Sequence, residues 1–265
     1  MTDYLYPKKE DFFNTYSRLA PVSLFLIRAK ESELFARYIY ERPVLDIGCG
    51  EASFAKNLFN GQIDAGIDIN EKNAHTARKS RAYKEVYCAK AEDIPFAGST
   101  FRTVISNCVL EHVQDIDRSL REIHRVLMPG GLAYLSVATP LFSESMSFGD
   151  VVNKKFGVRI MAGVRMLDYF FHHNHCLSAA EWMARINRAG LVIKETHPYL
   201  SPQLLHLMGG FFVFSAPSFI WKRTMNRWRL FPQLDRPKIL MKFIRRYYEK
   251  TSDEAACFFF VVSKG

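Results

Sequence analysis

Residues 44–54 read VLDIGCGEASF, and this stretch decides the fold. Its first four residues are typical of a buried strand, two glycines follow at Gly48 and Gly50, and a helical pattern begins after them. Glycines at the end of a strand allow a tight turn and let a ligand come close to the backbone. The stretch therefore predicts a nucleotide-binding turn, although the glycines alone do not name the nucleotide.

The turn departs from the pattern that binds dinucleotides. That pattern, GxGxxG, requires a third glycine at position 53, where this chain has Ser53. Asp46, just before the glycines, would repel a pyrophosphate but suits a ligand with an ammonium or sulfonium charge. Asp68, at the end of the next predicted strand, can accept hydrogen bonds from ribose hydroxyls, a device that NAD enzymes also use. The turn therefore favours a cationic nucleotide without phosphates.

Predicted strands and helices alternate outward from this turn. Strands are predicted over 44–50, 62–69, 85–90, 101–108, 132–140, 191–200 and 256–265, and helices over 24–40, 52–59, 70–80, 115–127 and 178–190. Asn70 and Ser178 are predicted helix caps, and Pro129 to Gly131 are expected to form the turn that ends the helix over 115–127. This alternation predicts an α/β fold whose parallel sheet is covered on both faces and binds ligands at the carboxyl ends of its strands.

The chain shows no repeat and no low-complexity linker, so we predict a single domain of 1–265. Its predicted segments are an N-terminal helical cap (1–42), a cofactor-binding core (43–140), a variable acceptor-side segment (141–177), a basic aromatic insert (201–250) and a closing strand (255–265).

Composition narrows the class of protein. The five cysteines are scattered and odd in number, which favours reduced thiols over a disulfide framework. The N-terminal residues carry charges of both signs and no signal-type apolar run, so we expect a cytoplasmic protein, with the inner face of a membrane as a further location. No Walker lysine loop, GxSxG elbow or HExxH motif is present, which argues against those enzyme classes.

Four pieces of the chain resemble the class I S-adenosylmethionine-dependent methyltransferases, in the type 11-like branch that includes the ubiquinone and menaquinone C-methyltransferases. The pieces are VLDIGCGEASF, GIDIN, AEDIPFAGSTFRTVISNCVLEHVQD and LREIHRVLMPGGLAYLSVATP, within residues 43–140. The resemblance implies a Rossmann-like, doubly wound, mostly parallel seven-stranded sheet with an antiparallel last strand. It also implies that S-adenosyl-L-methionine is the cofactor and S-adenosyl-L-homocysteine the product.

The resemblance further implies a set of cofactor-binding residues. They are Asp46, Gly48 and Gly50 at the methionine end, Asp68 at the ribose, Ala91 and Glu92 at the adenine, Asn107 at the amino group and Leu110 near the reacting centre, together with Cys49 and Ile69. Glu111 and His112 follow Leu110, and His112 is a candidate catalytic base. Three positions depart from the family pattern, namely Ala52 for a third glycine, Lys90 for an acid before the adenine loop and Arg102 for an aspartate.

A second candidate site is the stretch FFHHNHCLS, which contains His172, His173, His175 and Cys176. A histidine here can serve as a general base, and His173 and His175 are the candidates. A zinc site and a hydrogen-bonded loop are the alternatives. Four ligands within five residues rarely meet tetrahedral geometry, so we expect no metal.

The insert over 201–250 carries almost all of the net charge of +9, because it has ten lysines and arginines against Asp235 and Glu249. Residues 204–221 lack charged side chains, and basic residues interleaved with aromatic ones follow. A lid over the core, a peripheral membrane contact through 204–231 and an RNA-binding surface remain open. Gly209, Gly210 and Pro217 argue against a transmembrane helix.

The function that these patterns favour is S-adenosylmethionine-dependent methyl transfer to a small-molecule or lipid-linked metabolite. An RNA methyltransferase that uses the basic insert is one alternative. A non-catalytic protein that binds S-adenosylmethionine or scaffolds a partner is the other.

Overall fold

A mixed sheet organises the part of the chain that the computed structural model describes, which is residues 3–146, 175, 177–209, 211, 236–250 and 254–265. The strands in chain order are β1 (Tyr4–Leu5), β2 (Tyr40–Glu41), β3 (Val44–Ile47), β4 (Ile63–Asp68), β5 (Tyr83–Cys88), β6 (Phe101–Asn107), β7 (Leu127–Ala138), β8 (Leu191–Tyr199) and β9 (Cys257–Lys264). β1 and β2 form a separate antiparallel pair, and the other seven strands form one sheet.

The seven strands lie in the order β5-β4-β3-β6-β7-β9-β8. The first five of these are parallel, whereas β9 runs antiparallel to both β7 and β8. The predicted seven-stranded sheet with an antiparallel last strand is therefore confirmed. The strand order reverses between β3 and β6, so the glycine turn after β3 lies at the point where open α/β sheets bind ligands.

The described helices cover the two faces of the sheet. In chain order they are α1 (Phe12–Leu19), α2 (Val22–Phe35), α3 (Ser53–Leu58), α4 (Glu71–Lys79), α5 (Ile116–Val126), α6 (Pro140–Met146), α7 (Ala179–Arg188), α8 (202–209) and α9 (Lys238–Tyr248). Asn70 accepts hydrogen bonds from the first turn of α4, as predicted. Ser178 and Glu181 form a reciprocal capping box at the start of α7, which confirms that cap as well.

The core has one apolar cluster on each face of the sheet. Phe259 of β9 belongs to the cluster that includes α1 and α2, and Phe260 belongs to the cluster that includes α5 and α7. Adjacent strand residues point to opposite faces, so one apolar strand serves both clusters. Each of these fully buried rings contributes about 2 to 3 kcal/mol relative to exposure.

The N-terminal cap differs from the single helix predicted over 24–40. It contains two helices, and α2 ends at Phe35, before the short strand β2 at Tyr40. Tyr40 is buried and donates a hydrogen bond to the carbonyl oxygen of Phe35. Aromatic residues at 38 and 40 favour the extended chain that pairs with β1, which is why the helix stops early.

Pro129, Gly130 and Gly131 do not separate a helix from a strand as predicted. The strand β7 already begins at Leu127, where it pairs with Phe101, and the next pair joins Thr103 to Leu132. The extra residues form an irregularity within the strand. A Cβ atom on Gly131 would lie 2.9 Å from the carbonyl oxygens of both Arg102 and Met128, so this position requires glycine. The strand therefore spans 127–138 rather than 132–140.

The apolar run over 204–221 begins inside the core. Leu204, Leu205 and Met208 of α8 are buried, so this part of the run is not available to a membrane. Residues 210 and 212–235 lie outside the described residues. No described helix is both long and apolar enough to cross a membrane. The division of the chain into five segments stays a prediction.

Candidate functional site

The glycine turn lies at the carboxyl end of β3 and is tied to the neighbouring strand β4. The backbone N–H groups of Gly48 and Cys49 both donate to the carbonyl oxygen of Ile67, at 2.8 and 2.9 Å. Gly48 and Gly50 have φ values of +74° and +52°, a region that L-residues rarely adopt. The turn is therefore a defined structure that requires glycine for its backbone conformation.

The two glycines differ in what surrounds them. A Cβ atom on Gly48 would lie 2.3 Å from Cγ2 of Val109, in the loop after β6, whereas a Cβ atom on Gly50 would have no atom within 4 Å. Gly48 thus allows two loops to pack together. Gly50 borders open space, so it is the glycine that a ligand can approach.

Asp68 lies beside this space at the end of β4. One carboxylate oxygen accepts the backbone N–H of Gly50 at 2.8 Å, and the other accepts the backbone N–H of Asn70 at 2.9 Å and the side-chain amide of Asn73 at 3.3 Å. The carboxylate therefore holds the turn and the start of α4 in a fixed relation. The predicted contact with a ribose hydroxyl remains compatible with this arrangement, because a carboxylate can accept about four hydrogen bonds.

Asp46 lies deeper than predicted, within β3 rather than at its end. Its carboxylate is buried and accepts a hydrogen bond of 2.6 Å from the hydroxyl of Tyr83. Burial raises the pKa of Asp46 to about 7, and the nearby charge of Asp68 contributes to the rise. Asp46 is thus a buried group beneath the turn, and its contact with the cofactor stays a prediction.

The predicted adenine side consists of the ends of β4 and β5. Ile69 is 67% exposed, which leaves an apolar side chain at this edge that a planar base can cover. Ala91 is buried, and the carboxylate of Glu92 accepts the backbone N–H groups of Gln114 and Asp115 at 2.8 and 3.3 Å. Glu92 therefore ties the loop after β5 to the loop after β6.

Asn107, at the end of β6, has a buried oxygen that lacks a hydrogen-bond partner. Its side-chain nitrogen donates to the carboxylate of Glu31 on α2 at 3.0 Å, which fixes the orientation of the amide. The oxygen Oδ1 then faces away from Glu31, is buried and accepts no hydrogen bond. An ammonium group is a donor that this oxygen can accept, so the residues present fit the methionine end of S-adenosylmethionine. Leu110 is buried in the core nearby.

A polar cluster lies next to Asn107, at the carboxyl ends of β6, β7 and β8. We define it as Glu31, Asn107, Cys108, Glu111, Ser136 and Tyr199. The thiol of Cys108 donates to Glu31 at 3.2 Å, and the hydroxyls of Ser136 and Tyr199 lie 2.5 Å apart. Cys108 has a φ of +54°, which is strained for a residue other than glycine and turns the chain toward the cluster.

Glu111 is the member of the polar cluster whose charge is not compensated. It is fully buried, and neither carboxylate oxygen accepts a hydrogen bond. Burial raises the pKa of Glu111 to about 7, and the charge of Glu31 contributes to the rise. An unsatisfied buried carboxylate costs several kcal/mol of folding free energy, so its presence at the ligand-binding edge calls for a functional reason.

The structure describes two of the three candidate catalytic histidines, His112 and His175. His112 is exposed and lies in the turn between β6 and α5, not in a helix interior. His175 donates its backbone N–H to the carbonyl oxygen of Glu111 at 3.0 Å, and its ring nitrogen lies 3.3 Å from the carbonyl oxygen of Gln114. His173 lies outside the described residues, as do His172 and Cys176. Their roles stay predictions.

Within the described residues, no group of three or more His, Cys, Asp or Glu side chains is arranged to hold a metal ion. The cysteines of that part of the chain, Cys49, Cys88, Cys108 and Cys257, are free thiols, which agrees with the expectation of reduced cysteines.

Sequence reasoning missed Glu31 and Tyr199 as members of the site. Glu31 is separated from Asn107 by 76 residues along the chain, and its helix carries no motif that indicates a contact there. Its paired position with Arg28, at 2.7 Å, is a common helical ion pair. Glu111 lies within the third piece that resembles the family. Only its burial without hydrogen-bond partners distinguishes it from an ordinary surface glutamate.

Comparison with known proteins supports the assignment of the core. The family model described as a methyltransferase domain matches residues 45–135. The ubiquinone biosynthesis O-methyltransferase of Rhizobium leguminosarum bv. trifolii (strain WSM2304) is 33% identical over 135 residues, which are 47% of this chain and 54% of that protein. The demethylmenaquinone methyltransferase of Chlorobaculum parvum (strain DSM 263 / NCIMB 8327) is 29% identical over 112 residues, covering 42% and 46%. The chain spans about half the length of the curated relatives it matches.

Solved structures show the same fold at low sequence identity. A methyltransferase from Thermotoga maritima, described as a possible histamine N-methyltransferase, has a TM-score of 0.53 and 18% identity, covering 96% of this chain and 93% of that one. The [4+2]-cyclase SpnF has a TM-score of 0.52 and 17% identity, covering 89% and 80%. Since one of these proteins is a cyclase, the fold does not by itself fix the reaction. Residues 45–135 thus match a methyltransferase domain, and the relatives and the fold are those of class I S-adenosylmethionine-dependent methyltransferases, which implies S-adenosylmethionine as the cofactor.

Proposed function

We propose that this protein transfers the methyl group of S-adenosylmethionine to a small-molecule or lipid-linked acceptor. The observation that carries the proposal is Asn107, at the end of β6, which is the strand that pairs with β3 and its glycine turn. Its free oxygen fits the cofactor's ammonium group, and its amide nitrogen is bound to Glu31 within the cluster. Binding of cofactor and acceptor on either side of Asn107 would bring the reacting groups together, which is a main source of rate enhancement.

On the cofactor side, Gly50 would leave room for the ligand and Asp68 would accept its ribose hydroxyls, while Ile69 would cover the adenine. When bound, S-adenosylmethionine supplies an electrophilic methyl group. The exposed side chain of Lys90 departs from the family pattern, but it leaves the apolar surface of Ile69 accessible. This is why we favour a functional cofactor site over the non-catalytic alternative.

On the acceptor side, the polar cluster and the ends of β7, β8 and β9 would form the site. Glu31, Glu111, Ser136 and Tyr199 of the polar cluster are buried, and an enclosed site excludes the water that would compete with the acceptor. The curated relatives named for ubiquinone and menaquinone biosynthesis support a small or lipid-linked acceptor. An enclosed site of this kind suits a small molecule better than a folded RNA.

Contact with a membrane would bring a lipid-linked acceptor to the site. Support for this contact lies in α9, where Ile239 is 87% and Phe243 is 48% exposed on the same face. Lys242 and Arg246 are exposed beside them. Apolar side chains flanked by basic ones are typical of helices that lie in the headgroup region of anionic membranes. An RNA-binding role would use the same basic residues, and the experiments below separate the two.

The first test is calorimetric titration of S-adenosylmethionine and S-adenosylhomocysteine into wild type, Asp68→Asn and Asp68→Ala, with NADH as the control ligand. We expect the wild type to bind both nucleosides and not NADH. Asp68→Ala should weaken binding by at least tenfold, because it removes the hydroxyl acceptor and releases the N–H of Gly50. Asp68→Asn, which keeps one acceptor oxygen, should have a smaller effect.

The matched control is Glu85→Ala, which removes an exposed carboxylate from β5 and should leave binding unchanged. Transfer of a labelled methyl group to lipid extract, compared with transfer to total RNA, then identifies the acceptor class. If the wild type binds neither nucleoside, or binds them without labelling any acceptor, the proposed activity is wrong.

A further inference from the structure

The strongest unexplained feature of the molecule is the side chain of Glu111. A fully buried carboxylate normally has an ion-pair partner or several hydrogen bonds, because burial of a lone charge is costly. Glu111 has neither, although it is the most deeply buried acid at the ligand-binding edge of the sheet. Both of its oxygens are therefore available to a group that comes from outside the described chain.

Glu31, the other acid of the polar cluster, has the hydrogen-bond partners expected of a structural carboxylate. It accepts hydrogen bonds from Arg28 at 2.7 Å, Asn107 at 3.0 Å and Cys108 at 3.2 Å. Its charge is compensated by Arg28, and its bonds connect α2 to the end of β6. The two acids are neighbours, but only Glu111 is left without a hydrogen-bond donor on either oxygen.

The groups that face Glu111 make it a better proton acceptor than an ordinary glutamate. They are the carboxylate of Glu31 on α2, the thiol of Cys108 after β6 and the thiol of Cys257 on β9. None of these is a cation, and the backbone N–H groups of Glu111 and Ala138 and the thiol of Cys108 offset the effect of burial only in part. Its raised pKa, about 7, suits a base that must take up and release a proton near neutral pH.

We propose that Glu111 binds the hydroxyl group of the acceptor and accepts its proton. The inference rests on the proposed methyltransferase function and names the acceptor chemistry of that site. Glu111 would be a catalytic residue, in direct contact with the reacting hydroxyl.

The proton balance of the reaction requires such a group. An acceptor R–OH that becomes R–OCH3 would form one oxygen–carbon bond and lose one proton, while the bond between the methyl group and the sulfonium sulfur would break with its electron pair left on sulfur, giving S-adenosylhomocysteine as the leaving group. The O–H bond breaks with its electron pair left on oxygen, and the proton passes to the carboxylate of Glu111. The carboxylate becomes a neutral carboxyl group, which is the favoured state of a buried acid, and it returns the proton to solvent when the product leaves.

A hydroxyl acceptor fits Glu111 better than an amine. A hydroxyl group is a weak nucleophile until it loses its proton, so it gains most from a base. An amine would enter as an ammonium ion and form an ion pair with Glu111, which occupies the base and leaves nitrogen without its lone pair. Since Glu111 is fully buried, either ligand reaches it only when a covering element moves.

The test uses 4-fluorophenol and 4-fluorobenzylamine as probes, with fluorine NMR to measure binding to protein saturated with S-adenosylhomocysteine. We expect 4-fluorophenol to bind wild type roughly tenfold more tightly at pH 8 than at pH 6, because Glu111 ionises between them. Glu111→Gln should remove this pH dependence and weaken binding at pH 8. Glu144→Gln, which changes an exposed glutamate on α6, is the matched control and should behave as wild type.

Binding of S-adenosylhomocysteine by Glu111→Gln verifies that the variant is folded. The inference is overturned if 4-fluorophenol fails to bind wild type, if Glu111→Gln binds it with the wild-type pH dependence, or if 4-fluorobenzylamine binds more tightly than the phenol at both pH values. These outcomes leave the proposed function intact as long as wild type binds S-adenosylmethionine and labels an acceptor. Loss of cofactor binding by wild type would instead reject the proposed function.

Discussion

Gly48 and Gly50 have different roles in the glycine turn, and the sequence motif alone does not distinguish them. Gly48 and Gly50 both have positive φ, but Gly48 makes room for Val109 and Gly50 borders open space. Ala52, in place of a third glycine, also adopts the left-handed region with a φ of +68°. The turn therefore keeps a glycine-like backbone at three positions, although only one of them faces the space where a ligand fits.

Substitution of the two glycines by alanine should separate stability from binding. Gly48→Ala places a methyl group against Val109, so we expect a loss of about 3 kcal/mol in the free energy of unfolding. Gly50→Ala meets no atom, so the strained φ should cost only about 1 kcal/mol, while affinity for S-adenosylmethionine falls. Urea unfolding and calorimetry measure the two effects.

The double variant Gly48→Ala with Val109→Ala is the control for this explanation, because it removes the Cγ atoms that the new methyl group would contact. It should recover part of the stability lost in Gly48→Ala. Equal destabilisation by the two single glycine substitutions would contradict the distinction between them.

The sequence could predict most of the helices and strands in the core, but not all of their bounds. The predicted order of strands and helices between 43 and 140 is confirmed, because the elements there have their own apolar periods and α4 has a cap at Asn70. The strand β7 was misplaced because pairing with β6, which no local pattern encodes, extends it through Pro129 to Gly131.

The same reasoning applies to the candidate site. The sequence could predict that Asp68, Asn107 and the glycines lie at strand ends, because they belong to a motif, whereas their contacts with the cofactor stay predictions. It could not predict the contact between Asn107 and Glu31, because only the packing of α2 against the end of β6 brings them together. The absence of hydrogen-bond partners on the carboxylate oxygens of Glu111 likewise depends on which residues the fold brings near it.

The helix α9 provides a prediction for membrane contact. We expect wild type to bind vesicles rich in phosphatidylglycerol and not vesicles of phosphatidylcholine alone, with binding weakened by salt. The double variant Ile239→Ser with Phe243→Ser should lose the apolar contribution, and Lys242→Glu should weaken binding by about tenfold or more, since each basic residue contributes about 1 kcal/mol. Vesicle sedimentation measures both.

Lys79→Glu is the control, because it makes the same charge change on α4. If it weakens vesicle binding as much as Lys242→Glu, the effect reflects net charge and not α9. If these variants weaken binding to RNA but not to vesicles, the nucleic-acid alternative is favoured instead.

The buried acids of the molecule should lower its free energy of unfolding as pH rises from about 4 to 7. Burial raises the pKa values of Asp46 and Glu111 to about 7, above the 3.8 and 4.5 of the ordinary groups. In this range the folded protein holds protons that the unfolded chain has released, so the free energy of unfolding falls with pH. Acids with lowered pKa, such as Glu122 beside Arg125, act in the opposite direction at lower pH.

Neutral variants isolate this effect. Relative to wild type, Asp46→Asn and Glu111→Gln should each gain stability as pH rises through this window, by at most roughly 3 to 4 kcal/mol, and the gain should level off above pH 7. Asp46→Asn can still accept the hydrogen bond from Tyr83. Urea unfolding at several pH values measures the difference, and a difference that does not change with pH would contradict the raised pKa values.

The position of β9 has a consequence for how the protein is made. This strand, from residues 257–264, lies between β7 and β8 in the sheet. During synthesis, β8 and its Tyr199 therefore have no strand to pair with until these late residues leave the ribosome. The glycine turn and its neighbours β3, β4 and β6 can form well before that. The cofactor half of the site is thus able to assemble on the nascent chain, while the acceptor half must wait for its last strand.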